Sequence, residues 1–235
     1  MTILNIETST TCCSAAITID GIAVASVENL AGANHASELP VFIEQMLHAA
    51  QTNHWHIDAV ALSQGPGSYT GLRIGASIAK GICYGLNIPL IPIDTLQILC
   101  HCIDSKDLAD GSDALLCPMI DARRMEVYTA LYQHEANSHL STIAEVQAKI
   151  IDTEAFKEEL ERQPIYFFGN GAAKCQTVIT HPNAHFIDNI VPRACCMGRL
   201  AELHTHTLDN KQMAYYEPFY LKEFVAAPSH IKGLK

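Results

Sequence analysis

The stretch GPGSYTGLRIGAS, residues 65–77, follows directly on the apolar run DAVALSQ and leads into a segment of helical periodicity. A buried strand, a glycine turn and a helix in succession make one βα unit. Such units bury their apolar faces as a sheet covered by helices. This stretch therefore points to an α/β chain. It also raises a question of chemistry, because glycines between a strand and a helix often cradle a phosphate. A P-loop is excluded, since Gly71 is followed by Leu72 and Arg73 where Lys and Ser/Thr would hold phosphate and magnesium. The dinucleotide pattern G-x-G-x-x-G is also absent here. What the stretch and the residues after it do hold is a small residue every four positions, at Gly67, Gly71, Gly75, Ala79 and Cys83. A row of Ile74, Ile78 and Ile82 runs beside it. On a helix this is a flat stripe that admits close approach of another element. Spacing leaves two readings open, packing within the domain or contact with another chain.

The surrounding grammar runs twice. Residues 2–8 read as a strand and 14–28 as a hairpin turning at Asp20-Gly21, the favoured two-residue turn. Residues 37–51 read as an amphipathic helix with Pro40 in its first turn. Its apolar face carries Leu39, Phe42, Ile43, Met46, Leu47 and Ala50. Strand 58–64, a helix from Gly71 to Gly85 and strand 89–94 complete a β-β-β-α-β-α-β half. In the second half, 113–121 and 125–133 flank Ala122-Arg123-Arg124 as a hairpin, and Asp152 is expected to cap a helix over 153–163. Strand 164–170, a short helix over 171–180, strand 184–190 and an amphipathic helix over 193–206 follow. The repetition is architectural, without a residue-level period. The polar stretch 104–113 is the expected boundary, giving units 1–110 and 111–235. The aromatic tail 214–225 is expected to dock, packing back on the first half.

Composition narrows the partners. With 15 Lys and Arg against 25 Asp and Glu, the net charge is −10, which repels a phosphate backbone over most of the surface. Nucleic-acid contact is therefore expected to be local or borrowed from a partner. The start, MTILNIETST, has no basic leader and no apolar run reaches the ~18 residues of a membrane span, so the expected location is cytoplasmic. The nine cysteines include no C-x-x-C pair and several lie in apolar runs, as buried thiols do. His181 and His185 are separated by a turn containing Pro182, while the HWH and HTH triplets at 54–56 and 204–206 splay their rings. None has helical zinc-ligand spacing.

Four motifs occur in order: ILNIETST, GPGSYTGLRIG, DARRMEVYTALY and PFYLKEF. Together they closely resemble the bacterial TsaB (YeaZ) family over nearly the whole chain. The resemblance implies a sugar kinase–Hsp70–actin-like (ribonuclease H-like) fold with two related β-β-β-α-β-α halves. It implies a non-catalytic dimerisation and scaffold subunit of the complex that makes threonylcarbamoyladenosine beside the tRNA anticodon. The implied partners are the catalytic TsaD, as a heterodimer, the ATPase TsaE, and tRNA through the complex. A homodimer of the lone chain also fits, and no membrane is involved. The implied partner interface takes His35, Glu38, Leu39, Phe42, Ile43 and Met46 from one helix. From the next it takes Gly71, Leu72, Ile74, Gly75, Ile78, Ala79 and Ile82.

TsaD carries a helical H-x-x-x-H metal pair, whereas Thr95 and Leu99 stand at the aligned positions here. No catalytic residue or metal ligand is therefore assigned, and no tightly bound cofactor is expected. ATP or ADP with Mg belongs, on this reading, to the complex interface. Glu7, Thr8 and Ser9, with Asp121, Arg123 and Arg124, are the residues expected to face a cleft or nucleotide. For the DARR turn a plainly solvated hairpin remains the equal alternative. Two rival functions are a small-molecule kinase or ATPase of the same fold, which requires ATP turnover, and a glycoprotease-like metallopeptidase, which requires metal ligands.

Overall fold

The computed structural model describes residues 1–32, 34–108, 114–134, 139–204 and 207–222. β1 (Thr2–Glu7), β2 (Cys13–Ile19) and β3 (Ile22–Asn29) form an antiparallel meander. After α1 (His35–Thr52), β4 (Ala59–Gly65) returns parallel to β1. After α2 (Tyr69–Leu86), β5 (Leu90–Asp94) adds parallel to β4, giving the order β3-β2-β1-β4-β5.

The second sheet repeats this. β6 (Leu115–Asp121), β7 (Glu126–His134) and β8 (Leu140–Ile150) form the meander, and β9 (Ile165–Phe168) and β10 (Ala184–Ile187) run parallel to β6. Its order, β8-β7-β6-β9-β10 read from the meander edge, is the same sequence of positions. The remaining helices are α3 (Thr95–His101), α4 (Lys157–Arg162), α5 (Gly198–Leu203) and α6 (Asn210–Ala214).

Two strongly apolar layers flank the first sheet. On one face Leu4, Ile6, Ile17, Val60 and Leu62 meet the buried sides of α1 and α2. On the other, Ile3, Ala16, Ala61 and Ile91 meet Ala194, Met197 and Ala201, which come from the second half. In return α3, which leaves the first sheet, lays Leu96, Leu99 and Cys100 against Leu116, Tyr132, Tyr166 and Phe168 of the second sheet. Each half thus lends the other a cover. Arg193 grips Glu28 through two hydrogen bonds of 2.8 and 2.6 Å, and Ala194 N donates to Ser14 Oγ at 2.9 Å.

Several elements differ from the sequence reading. β8 and α3 are additional. Only a 3-10 turn, Ala173–Cys175, stands in the expected helix 171–180, because its start is held flat on β6 by Gly169 and Gly171. The helix expected over 193–206 is split into a 3-10 turn, Ala194–Cys196, and α5. Asp152 does not cap α4: its Oδ1 accepts from Glu154 N at 3.0 Å, and the helix starts later, after Phe156. The stretch 109–113, within the expected boundary, and the tail beyond residue 222 lie outside the described residues.

Candidate functional site

The end of β1 and the start of α2 meet at Glu7, Thr8 and Ser9. All three are fully buried. Glu7 Oε1 accepts from Ser9 N at 2.6 Å, and Thr8 N donates to Ser63 Oγ at 3.3 Å. Burial pushes the Glu7 carboxyl up to about 7, against the lowering effect of its hydrogen bonds to Ser9 and Ser63. Glu7 Oε2, Thr8 Oγ1 and Ser9 Oγ find no hydrogen-bond partner among the described residues.

The glycines explain how α2 comes to cover this group. A Cβ on Gly67 would lie 2.2 Å from Ser9 O, one on Gly71 2.1 Å from Thr8 O, and one on Gly75 2.3 Å from Thr8 Oγ1. The stripe lets the backbone of α2 settle onto the β1 loop. It packs inward, which corrects the expectation that it meets another chain. Gly71, Leu72, Gly75 and Ala79 on α2 are buried, as are Leu39, Ile43 and Met46 on α1. They face the sheet because β1 and β4 offer the larger apolar surface.

Other members of the expected interface are half-buried: His35, Glu38, and Phe42, Ile74, Ile78 and Ile82, which pack against the core and leave part of each side chain exposed. His35 Nε2 lies 3.1 Å from the Cys12 carbonyl oxygen, and both Glu38 oxygens accept from Asn29 Nδ2 at 3.2 and 3.0 Å. Beyond them α2 presents a second small-residue row, Ser77, Gly81 and Gly85, fully outward, and a Cβ on Gly81 or Gly85 would meet nothing within 4 Å. Sequence reasoning missed this row, although its four-residue spacing equals that of the inward one. Tyr84 nearby is 78% exposed, and a groove of about 700 Å³ runs along α1 past Pro40, Val41, Glu44 and Leu47.

The other expected group sits at the end of β6. Asp121 Oδ1 accepts from Arg123 N at 2.9 Å and is ion-paired with Lys174. Glu126 is ion-paired with Lys222, and its carbonyl accepts from Lys174 Nζ at 2.7 Å. Arg123 and Arg124 are exposed. Nothing in the sequence marked Lys174 or Lys222 as members of this cluster, since both come from distant segments. No hydrogen bond or ion pair among the described residues joins the Glu7 group to the Asp121 group. Gly169 and Gly171 echo the first half: their Cβ atoms would lie 2.4 Å from Met119 O and 2.9 Å from Ile120 C, at the end of β6.

Thr95 and Leu99 are both fully buried in α3. The cysteines are free thiols, and burial pushes Cys12, Cys13, Cys83 and Cys117 up to about 12. Among the described residues no three His, Cys, Asp or Glu side chains are grouped to hold a metal ion. Nor is any helix among them long and apolar enough to cross a membrane. The tail crosses the mouth of the glycine turn: Phe219 N donates to Gln64 O at 2.7 Å, and Tyr220 packs on Tyr69 with ring centroids 4.9 Å apart.

Comparison with known proteins is consistent with this architecture. Residues 23–227 match the family described as TsaD, tRNA N6-adenosine threonylcarbamoyltransferase. The tRNA threonylcarbamoyladenosine biosynthesis protein TsaB of Haemophilus influenzae is 28% identical over 233 residues, covering 96% of this chain and 95% of that protein. The TsaB of Buchnera aphidicola is 30% identical over 159 residues, 68% of this chain and 69% of its own. The solved structure of YeaZ from Pseudomonas aeruginosa superposes with a TM-score of 0.71 at 23% identity, covering 94% of this chain and 99% of that one. The two mixed sheets with their exchanged covers have the actin-like fold.

Proposed function

We propose, from the premise that this chain belongs to the TsaB (YeaZ) family, that it acts in threonylcarbamoyladenosine synthesis on tRNA as a non-catalytic subunit. It pairs with a TsaD-type transferase and supports the activity of that partner. The observation that carries this reading is the outer side of α1 and α2. There a half-buried row of Ile74, Ile78 and Ile82 lies beside the open Gly81 and Gly85. Low relief and apolar flanks suit close helix–helix contact with another chain. The full burial of Glu7 supports the non-catalytic part, because α2 occupies the ground beside the β1 loop with its own backbone.

The test is co-purification with the TsaD-type partner, followed by a threonylcarbamoylation assay with and without this chain. Gly81→Leu, which meets open space in the lone chain, should leave the melting temperature nearly unchanged. It should weaken pairing by tenfold or more, as central interface positions do. Normal pairing by that variant would remove the α2 face from the interface. ATP turnover by the isolated chain, abolished by Glu7→Gln, would favour the kinase reading instead.

A further inference from the structure

The β6–β7 hairpin is built so that its tip is cationic on a chain that is acidic overall. Two carboxylates flank the turn, and each is neutralised by a lysine from elsewhere: Asp121 by Lys174 and Glu126 by Lys222. A third acid at this end, Asp152, has its Oδ1 turned onto Glu154 N at 3.0 Å. Arg123 and Arg124 are both exposed and have no side-chain partner among the described residues, so with Asp152 counted the tip still carries a net positive charge. The turn that carries them is fixed by its own backbone. Ala122 N donates to Glu126 O at 3.1 Å, Glu126 N to Arg123 O at 3.1 Å, and Arg123 N to Asp121 Oδ1 at 2.9 Å. Two adjacent guanidiniums on a held turn, with the two flanking carboxylates ion-paired to lysines, offer a pair of forked cationic donors suited to phosphate oxygens.

We infer that the β6–β7 hairpin tip is a phosphate-backbone contact for RNA, with Arg123 and Arg124 each engaging tRNA held by the assembled complex. The inference rests on the reading of this chain as a subunit of a tRNA-modifying complex. It fits the charge of −10, because the contact is local and too small to hold RNA without a partner. An acidic protein surface is the competing occupant, and the experiment separates the two.

Labelled tRNA is titrated against the complex of full-length chain and TsaD-type partner at several salt concentrations. The variants are Arg123→Gln/Arg124→Gln and the charge-preserving Arg123→Lys/Arg124→Lys. The glutamine pair is expected to assemble normally by gel filtration and to bind tRNA about tenfold more weakly. The slope of log affinity against log salt should fall by about 2, and the lysine pair should restore it. Unchanged affinity and slope in the glutamine pair would overturn the inference alone. So would loss of assembly by that pair, which would make the hairpin a protein contact. A wild-type complex that binds no tRNA would overturn both this inference and the reading beneath it.

Discussion

Gly75 and Gly81 stand six positions apart on α2 and answer to opposite demands. At Gly75 a methyl group would press on Thr8 Oγ1 at 2.3 Å and Leu62 Cδ1 at 3.1 Å, inside a packed core. Gly75→Ala should therefore cost about 1–3 kcal/mol, read as a lowered urea midpoint. Gly81→Ala meets nothing and relieves the entropy of a helical glycine, so it should raise stability by roughly 0.5–1 kcal/mol in the same measurement. Sequence reasoning picked out only the row of Gly75, although the row of Gly81 has the same four-residue spacing. Only the position of β1 decides which row is inside.

Glu7 makes a second prediction, about pH. Its carboxyl is raised from 4.5 to about 7 in the fold, so the folded chain holds the proton more tightly than the unfolded one. The stability this contributes is complete below pH 4.5 and disappears as pH rises through 7. Asp94, raised to about 6 by burial, acts with the same sign. Glu7→Gln keeps the acceptor for Ser9 N and carries no charge. It should be more stable than the wild type at pH 8 by up to about 3 kcal/mol, and the difference should shrink towards pH 5. Equal differences at the two pH values in chemical unfolding would show that Glu7 is not the titrating group.

Among the elements, legibility followed the contrast between apolar and polar residues. β1 and β4 were plain because they are almost wholly buried, and α2 because its buried residues recur at helical spacing along one side. β8 went unread because LSTIAEVQAKI alternates half-buried residues with exposed ones and never gathers an apolar run. α3 was hidden by its shortness, although Asp94 carried the signal: its Oδ1 caps Leu96 N and Gln97 N at 2.8 and 3.1 Å. The segment around α5 illustrates a different limit. Its amphipathic pattern was visible, but the pattern does not say which sheet the apolar side covers. Gly198 tests that docking, since a Cβ there would sit 2.7 Å from Thr18 Cγ2 and 2.8 Å from Gly21 O. Gly198→Val should lift the segment off β2 and β3, lowering the melting temperature by several degrees. Amide exchange should rise in β2 before it rises in β9.

For the molecule as a whole, the duplication was legible as grammar and invisible as residues. The structure supplies a trace of it: Gly65 and Gly169 each end the fourth strand of a half at positive φ, +115° and +97°. Net charge acts at this scale too. The isolated chain should bind tRNA more weakly than micromolar at physiological salt, because −10 spread over the surface opposes any local contact. Tight, salt-sensitive binding by the lone chain in a filter assay would contradict this.

The exchange of covers between the sheets has a consequence for how the chain can be taken apart. A cut between residues 108 and 114 severs one peptide connection, yet leaves each fragment carrying a lid that belongs to the other. Neither piece made alone should give a soluble monomer, because Ile3, Ala61 and Ile91 in one and Leu116, Tyr132 and Phe168 in the other would lie bare. Produced together, the pieces should find each other and reconstitute the native particle. Their recovery would then depend on concentration, as in a bimolecular reaction.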